Sequence, residues 1–190
     1  DSKEDIQELG LGEPHPADYD WPFTPETREE LVKRVAETVQ SGDAVAIFGA
    51  PTLVPTMTRL QVRTTLIDRS QSAIADLERL RVRADLMQHD LFRPIPARVG
   101  SFAAVVSDPP WYPAYHHAFI LRAAETLQKE GLLLLSVIPW LTRPQAIEDR
   151  KDIIVFAHAA GFDLAEIAPA ELNYESPRFE RCALAAEGLR

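Results

Sequence analysis

A single cysteine in 190 residues, Cys182, excludes an internal disulfide and suits a reducing compartment. In the last apolar stretch it reads as a buried small hydrophobe. Long apolar runs are also missing. No stretch approaches the roughly 20 residues needed to span a bilayer, and no signal-peptide pattern opens the chain. A cytoplasmic protein with no membrane partner is expected. Glycine is scarce, with eight residues, and no phosphate-cradling loop occurs. There is no Ser-His-Asp set and no zinc-ligand spacing, so no metal is expected. His116 and His117 are adjacent and point in different directions. They make a poor metal pair and are expected at the surface.

Positive charge is in deficit. The net charge is -9, but it is unevenly placed. Residues 1–30 carry ten acids against Lys3 and Arg28, a balance of -8, leaving -1 for the other 160 residues. With Gly10, Gly12, Pro14 and Pro16 among those acids, residues 1–22 read as a loosely ordered leader. The chain starts at Asp1 rather than Met, as a trimmed protein or the end of a longer one would. Basic residues between 59 and 98 are all arginine: Arg59, Arg63, Arg69, Arg79, Arg81, Arg83, Arg93 and Arg98. Five acids lie among them, for a local balance of +3. A nucleic-acid surface can be built from such a cluster; a solvated helix face is the favoured reading.

What is present is a regular alternation of strands and helices. Thr24-Pro25-Glu26 reads as a helix start, with Thr24 as cap and Pro25 at the first helical position. Leu31, Val32, Val35 and Val39 form its apolar stripe. Strands are expected at 44–49, 64–68, 84–89, 102–107 and 131–138. Helices are expected at 55–60, after the Ser70 cap over Ala73, Ile74, Leu77 and Leu80, at 115–128 and at 144–160. Two last extended segments, 163–167 and 178–185, are joined by 172–177 with no helix between, which suggests an antiparallel hairpin. The pattern implies βαβ units and a doubly wound, mainly parallel sheet.

The stretch richest in chemical information is Phe102–Tyr112, an apolar strand that stops at Asp108-Pro109-Pro110-Trp111. Two prolines forbid its continuation, so Asp108 is left at the carboxyl end of a strand, where open α/β sheets bind ligands. The Asp108 carboxylate and the Pro109 carbonyl are acceptors suited to an amine, while Trp111 or Tyr112 offers a plane for a flat substrate. A strand end with a rigid turn and a core aromatic is the plain alternative. Asp68 and Asp90 end the two preceding strands in the same way, and Asp68 lies 19 residues after Gly49. That is the spacing at which dinucleotide-type folds place an acid on a ribose. Each acid alone is equally well explained as a cap on the next turn.

This order of elements resembles the class I S-adenosylmethionine-dependent methyltransferases. Asp108-Pro109-Pro110-Trp111 resembles the Asp/Asn-Pro-Pro-aromatic motif of members that act on exocyclic or amide nitrogens. The resemblance implies a seven-stranded sheet closed by the terminal hairpin, over residues 23–190 as one methyltransferase-like domain. It also implies S-adenosylmethionine as cofactor, with ribose at Asp68 and adenine near Asp90 beside Gly49. The target nitrogen would lie at Asp108 and the Pro109 carbonyl, in line for displacement at the sulfonium methyl, with Trp111 and Tyr112 as walls.

Phe23-Thr24-Pro25-Glu26-Thr27 and Ile47-Phe48-Gly49-Ala50-Pro51-Thr52-Leu53 are, more narrowly, similar to the catalytic domain of the branched-chain polyamine synthases. The likeness covers about residues 23–140. That family carries an acidic cluster where this chain has Ala50-Pro51-Thr52, and a polycation wants carboxylates to pair with. The expected partner is therefore an amine-bearing small molecule, protein or base, with nucleic acid less favoured. A loop with Gly49 alone also leaves room for a non-catalytic methyltransferase-like domain that binds a nucleotide or protein partner.

Overall fold

A computed structural model describes residues 21–168, 172–176 and 186. Helix α1 (Pro25–Ala36) starts as expected, with Thr24 Oγ1 accepting the Thr27 amide at 3.3 Å. Strand β1 (Ala44–Phe48) is buried along its whole length. It leads into a 3-10 turn (Pro51–Leu53) and the one-turn helix α2 (Val54–Met57), in place of a helix over 55–60. Then come β2 (Arg63–Asp68), α3 (Gln71–Arg79), β3 (Ala84–Gln88), β4 (Phe102–Ser107), α4 (Pro113–Thr126), β5 (Leu127–Leu135) and α5 (Ala146–Ala159). Ser70 caps α3, accepting the Ala73 amide at 3.2 Å.

The five strands form one parallel sheet in the order β3-β2-β1-β4-β5. The sheet is therefore doubly wound: the chain moves outward from β1 through β2 to β3, then returns to the other side of β1 for β4 and β5. Alternation along β1 serves both faces. Val45 and Ile47 pack with Leu31, Val35, Leu66 and Leu77, while Ala46 and Phe48 pack with Ile67, Val105, Phe119 and Ala123. Burial on both faces explains the unbroken apolar run in β1.

Five strands stand where seven were expected, among the described residues. Of the expected hairpin, 163–167 belongs to no strand there and 178–185 lies outside the described residues, as does the leader up to residue 20. The fifth strand also differs. Helix α4 ends at Thr126 because Leu127 already pairs with Phe102, and the ladder resumes only at Ala104 and Leu132. Residues 128–131 bulge out between these points, with Glu130 in the left-handed region at φ 61°. A Cβ on Gly131 would stand 2.8 Å from a Leu127 methyl and 2.9 Å from the Gln128 carbonyl, so glycine is required inside the bulge.

Candidate functional site

Strand order reverses between β1 and β4, the crevice where doubly wound sheets bind ligands. Phe48 pairs with Ile67 on one side and Ser107 on the other. The next residue of each strand is therefore level: Asp68, Gly49 and Asp108 lie side by side across β2, β1 and β4. Asp90 follows β3 by two residues. The three acids do share one sheet edge.

Asp108 has the most developed surroundings. Its amide donates to the Phe48 carbonyl at 3.0 Å, which ties the turn to β1. Its Oδ1 accepts from the Tyr174 hydroxyl at 2.7 Å and from the Ser136 hydroxyl. Burial pushes the carboxyl up from 3.8 to about 6, and the two hydroxyl donors hold it below where burial alone would take it. Such a group is ionised at neutral pH and still a better proton acceptor than an ordinary carboxylate.

Aromatic rings cluster around Tyr174, one of the two donors to this carboxyl. Trp111 meets Tyr174 edge to face at 5.9 Å and lies 6.5 Å from Trp21; Phe23 stacks on Tyr174 at 4.9 Å. Tyr112 turns elsewhere: it is 61% exposed, beneath the Arg143 guanidinium and 6.3 Å from Tyr115. Arg143 also donates to the Trp111 carbonyl at 2.8 Å and pairs with Asp149 at 2.7 Å. Pro109 is buried behind the turn, and Pro110 is exposed.

The cofactor side is plainer. Asp68 Oδ1 accepts the Ser70 amide at 2.7 Å, and Asp90 Oδ1 accepts the Phe92 amide at 3.0 Å. Each therefore fills the turn role that stood as the alternative reading. Gly49 adopts φ +69°, and a Cβ there would lie 3.0 Å from the Asp108 carbonyl and 3.1 Å from the Phe119 ring. The glycine's freedom is spent on letting β1 and the Asp108 turn approach. After it the chain enters the 3-10 turn at Pro51, which has no amide to offer.

Two residues at the site had no place in the expectations from sequence. Ser136 was legible in principle: it is the polar residue in Leu132–Ile138, one strand beyond Asp108, and its amide reaches the Ser107 carbonyl at 2.9 Å. Tyr174 carried no such signal, being 66 residues from Asp108 in a segment without periodicity. His116 corrects the expectation of a surface role. It is fully buried, with Nδ1 3.0 Å from the Tyr112 carbonyl and Nε2 3.2 Å from the Ser136 carbonyl. Burial lowers its pKa, and a neutral ring donates to one of these carbonyls at a time. It pins the start of α4 to the end of β5. His116→Ala should cost about 3 kcal/mol through the cavity and the one carbonyl that loses its ring donor. Urea unfolding measures this, and a loss below ~1 kcal/mol would remove the pin.

No protein-family model and no curated protein matches the chain. Solved structures do. The branched-chain polyamine synthase of Thermus thermophilus, in complex with N4-aminopropylspermidine and 5'-methylthioadenosine, superposes with a TM-score of 0.75 at 21% identity. The match covers 94% of this chain and 53% of that one, so the chain spans about half the length of the synthase. The fold is that of the class I S-adenosylmethionine-dependent methyltransferases. A TehB-like methyltransferase from Corynebacterium glutamicum shares it at TM-score 0.57 and 12% identity, over 75% of this chain and 76% of that one. So does a sugar N-methyltransferase from Streptoalloteichus, at TM-score 0.51 and 15% identity, over 60% and 49%.

The acids at this edge are hydrogen-bond acceptors, the chemistry that the hydroxyl and amino donors of an S-adenosyl group would need. Acids end two neighbouring strands, where hydroxyl and amino donors of a nucleoside need acceptors. Among the described residues no three His, Cys, Asp or Glu side chains gather as metal ligands. None of their helices is long and apolar enough to cross a membrane.

Proposed function

We propose that this chain catalyses S-adenosylmethionine-dependent alkyl transfer, in the first instance methyl transfer, to an amino nitrogen held at Asp108. The observation that carries the reading is the Asp108 carboxyl itself. It lies at the switch point, beside the ring cluster of Tyr174, with Oδ1 taken by Tyr174 and Ser136 and its pKa raised to about 6. Asp68, Asp90 and Gly49 are the residues that would hold the cofactor, which supplies an electrophilic carbon on a sulfonium.

Asp108 and the Pro109 carbonyl accept the amine's N–H groups and aim its lone pair. Bound there, the cofactor would supply the alkyl carbon and its sulfur would keep the bonding pair, while Asp108 would take the proton the nitrogen loses and release it to solvent. Alignment is worth several kcal/mol, on the order of 10³-fold or more in rate. The Trp111 edge and the Tyr174 ring favour an amine attached to an apolar or aromatic body. The loop Ala50-Pro51-Thr52 offers no carboxylate to a polycation, so the acceptor is an amine of a small molecule, protein or base rather than a polyamine. Part of the arginine excess is already neutralised from outside the cluster, with Arg59 paired to Glu29. A nucleic-acid acceptor is correspondingly less favoured.

Calorimetry with S-adenosylmethionine and S-adenosylhomocysteine tests the cofactor half. Micromolar binding is expected, weakened roughly 10- to 100-fold in Asp68→Asn, which keeps the oxygen for Ser70 and removes the charge. Wild-type protein that binds neither compound would leave the fold as a scaffold for a nucleotide or protein partner.

A further inference from the structure

We infer that Tyr174 and Ser136 are positioning residues that clamp one oxygen of Asp108, so that the carboxylate presents a single fixed oxygen, Oδ2, to the acceptor nitrogen. The inference rests on the reading of Asp108 as the acceptor site and goes beyond it to residues outside the Asp-Pro-Pro-Trp turn. Both hydroxyls donate to Oδ1 and neither to Oδ2. An unclamped carboxylate rotates about Cβ–Cγ and offers its two oxygens interchangeably; two donors on one oxygen remove that freedom.

Each donor is fixed by its own support. Ser136 follows β5 directly, and its amide extends the β4–β5 ladder at 2.9 Å. Tyr174 is held by a latch between two distant segments. Phe23 and Tyr174 form an antiparallel bridge, the Thr24 amide reaches the Asn173 carbonyl at 3.0 Å, and the Glu175 amide reaches the Pro22 carbonyl at 2.7 Å. The Asn173 amide closes the latch on Thr27 Oγ1 at 2.9 Å. Residues 21–24 and 172–176 thus roof the acceptor side, and their polar output to Asp108 is the Tyr174 hydroxyl.

The clamp also decides the charge of Asp108. Burial favours the protonated carboxyl, which donates and cannot take the amine's proton; the two hydroxyls favour the ionised form. Among the described residues no other group supplies that compensation. Tyr174 is itself pushed far up by burial and stays neutral, and His116, behind Ser136, is held neutral by burial. Arg143 is committed to Asp149 and the Trp111 carbonyl, and Glu175 beside Tyr174 is an acid.

The test follows the Asp108 carboxyl directly, by carbon NMR of protein labelled at aspartate Cγ, with Asp108→Asn assigning the signal. The expected midpoint near pH 6 rises by about one unit in Tyr174→Phe and in Ser136→Ala, and further in the double variant. Ser136→Thr, which restores a hydroxyl, brings it back. In transfer assays the acid limb moves upward by the same amount, and activity at pH 6.0 falls about tenfold relative to pH 8.5. A merely structural role for these hydroxyls would lower activity evenly across pH. Midpoints unchanged in both variants overturn the clamp. A shifted midpoint in a protein that transfers nothing from S-adenosylmethionine overturns the proposed reaction and leaves the clamp standing.

Discussion

Asp108→Asn should abolish transfer and, above pH 6, make the protein more stable. The Asn oxygen still accepts from Ser136 and Tyr174, so the clamp and the fold persist. Its other atom becomes an NH2 donor, which opposes the amine's N–H groups and takes no proton. Loss of rate of at least 10³-fold is expected from the missing alignment and proton acceptor together. The gain in stability follows from the raised pKa. Unfolded, Asp108 titrates near 3.8; folded, near 6. The native state binds the proton more tightly, so this group favours folding below about pH 4 and that advantage is lost as pH rises through 6. At pH 8 the wild type carries the full cost of a buried charge, about 2–3 kcal/mol, and the Asn variant carries none. Thermal melts at pH 8 should show Asp108→Asn higher by roughly 4–8 °C, with the difference shrinking toward pH 4. Equal melting points at pH 8 would mean that the carboxyl is not held against its preference.

Much of this architecture is visible in the chain before folding is considered. The β1 and β4 runs are apolar without alternation because both faces are covered, and that made them legible as inner parallel strands. Thr24 and Ser70 cap the helices they were expected to cap, because capping is decided within three residues. Failures come where longer range decides. Leu127 leaves its helix to pair with Phe102, which no local periodicity at 115–128 reveals. Half of the acceptor site was legible, since Asp108 is displayed by its prolines. The rest depends on Ser136, 28 residues on, and Tyr174, brought in by a bridge to Phe23. The acids at the ends of β2 and β3 were expected on one edge, and register places Asp68 and Asp108 level with Gly49. The scarcity of glycine has a physical explanation as well. The one glycine at the crevice is consumed by a protein–protein contact, the Asp108 carbonyl against its missing side chain.

That contact sets the second large effect. Gly49→Ala forces an L side chain into φ +69°, which costs about 1–2 kcal/mol for the backbone alone. The new methyl then meets the Asp108 carbonyl at 3.0 Å and the Phe119 ring at 3.1 Å. Phe119 can yield by a small ring shift within the α4 packing. The carbonyl cannot, because the Asp108 amide is tied to Phe48 and Ser107 lies in the β1–β4 ladder. The expected total is a loss of about 2–4 kcal/mol in denaturant unfolding, together with a displacement of the whole Asp-Pro-Pro turn. A misplacement approaching 1 Å at the acceptor costs on the order of 10²-fold in rate. Adding Phe119→Leu should recover part of the stability, by opening space on one side of the methyl, and little of the rate, because the carbonyl is still pushed. Asp108→Asn and Gly49→Ala therefore move activity in the same direction and stability in opposite directions. If Gly49→Ala unfolds and turns over like the wild type, the left-handed turn does not set the position of Asp108, and the acceptor geometry must be held from Ser136 and Tyr174 alone.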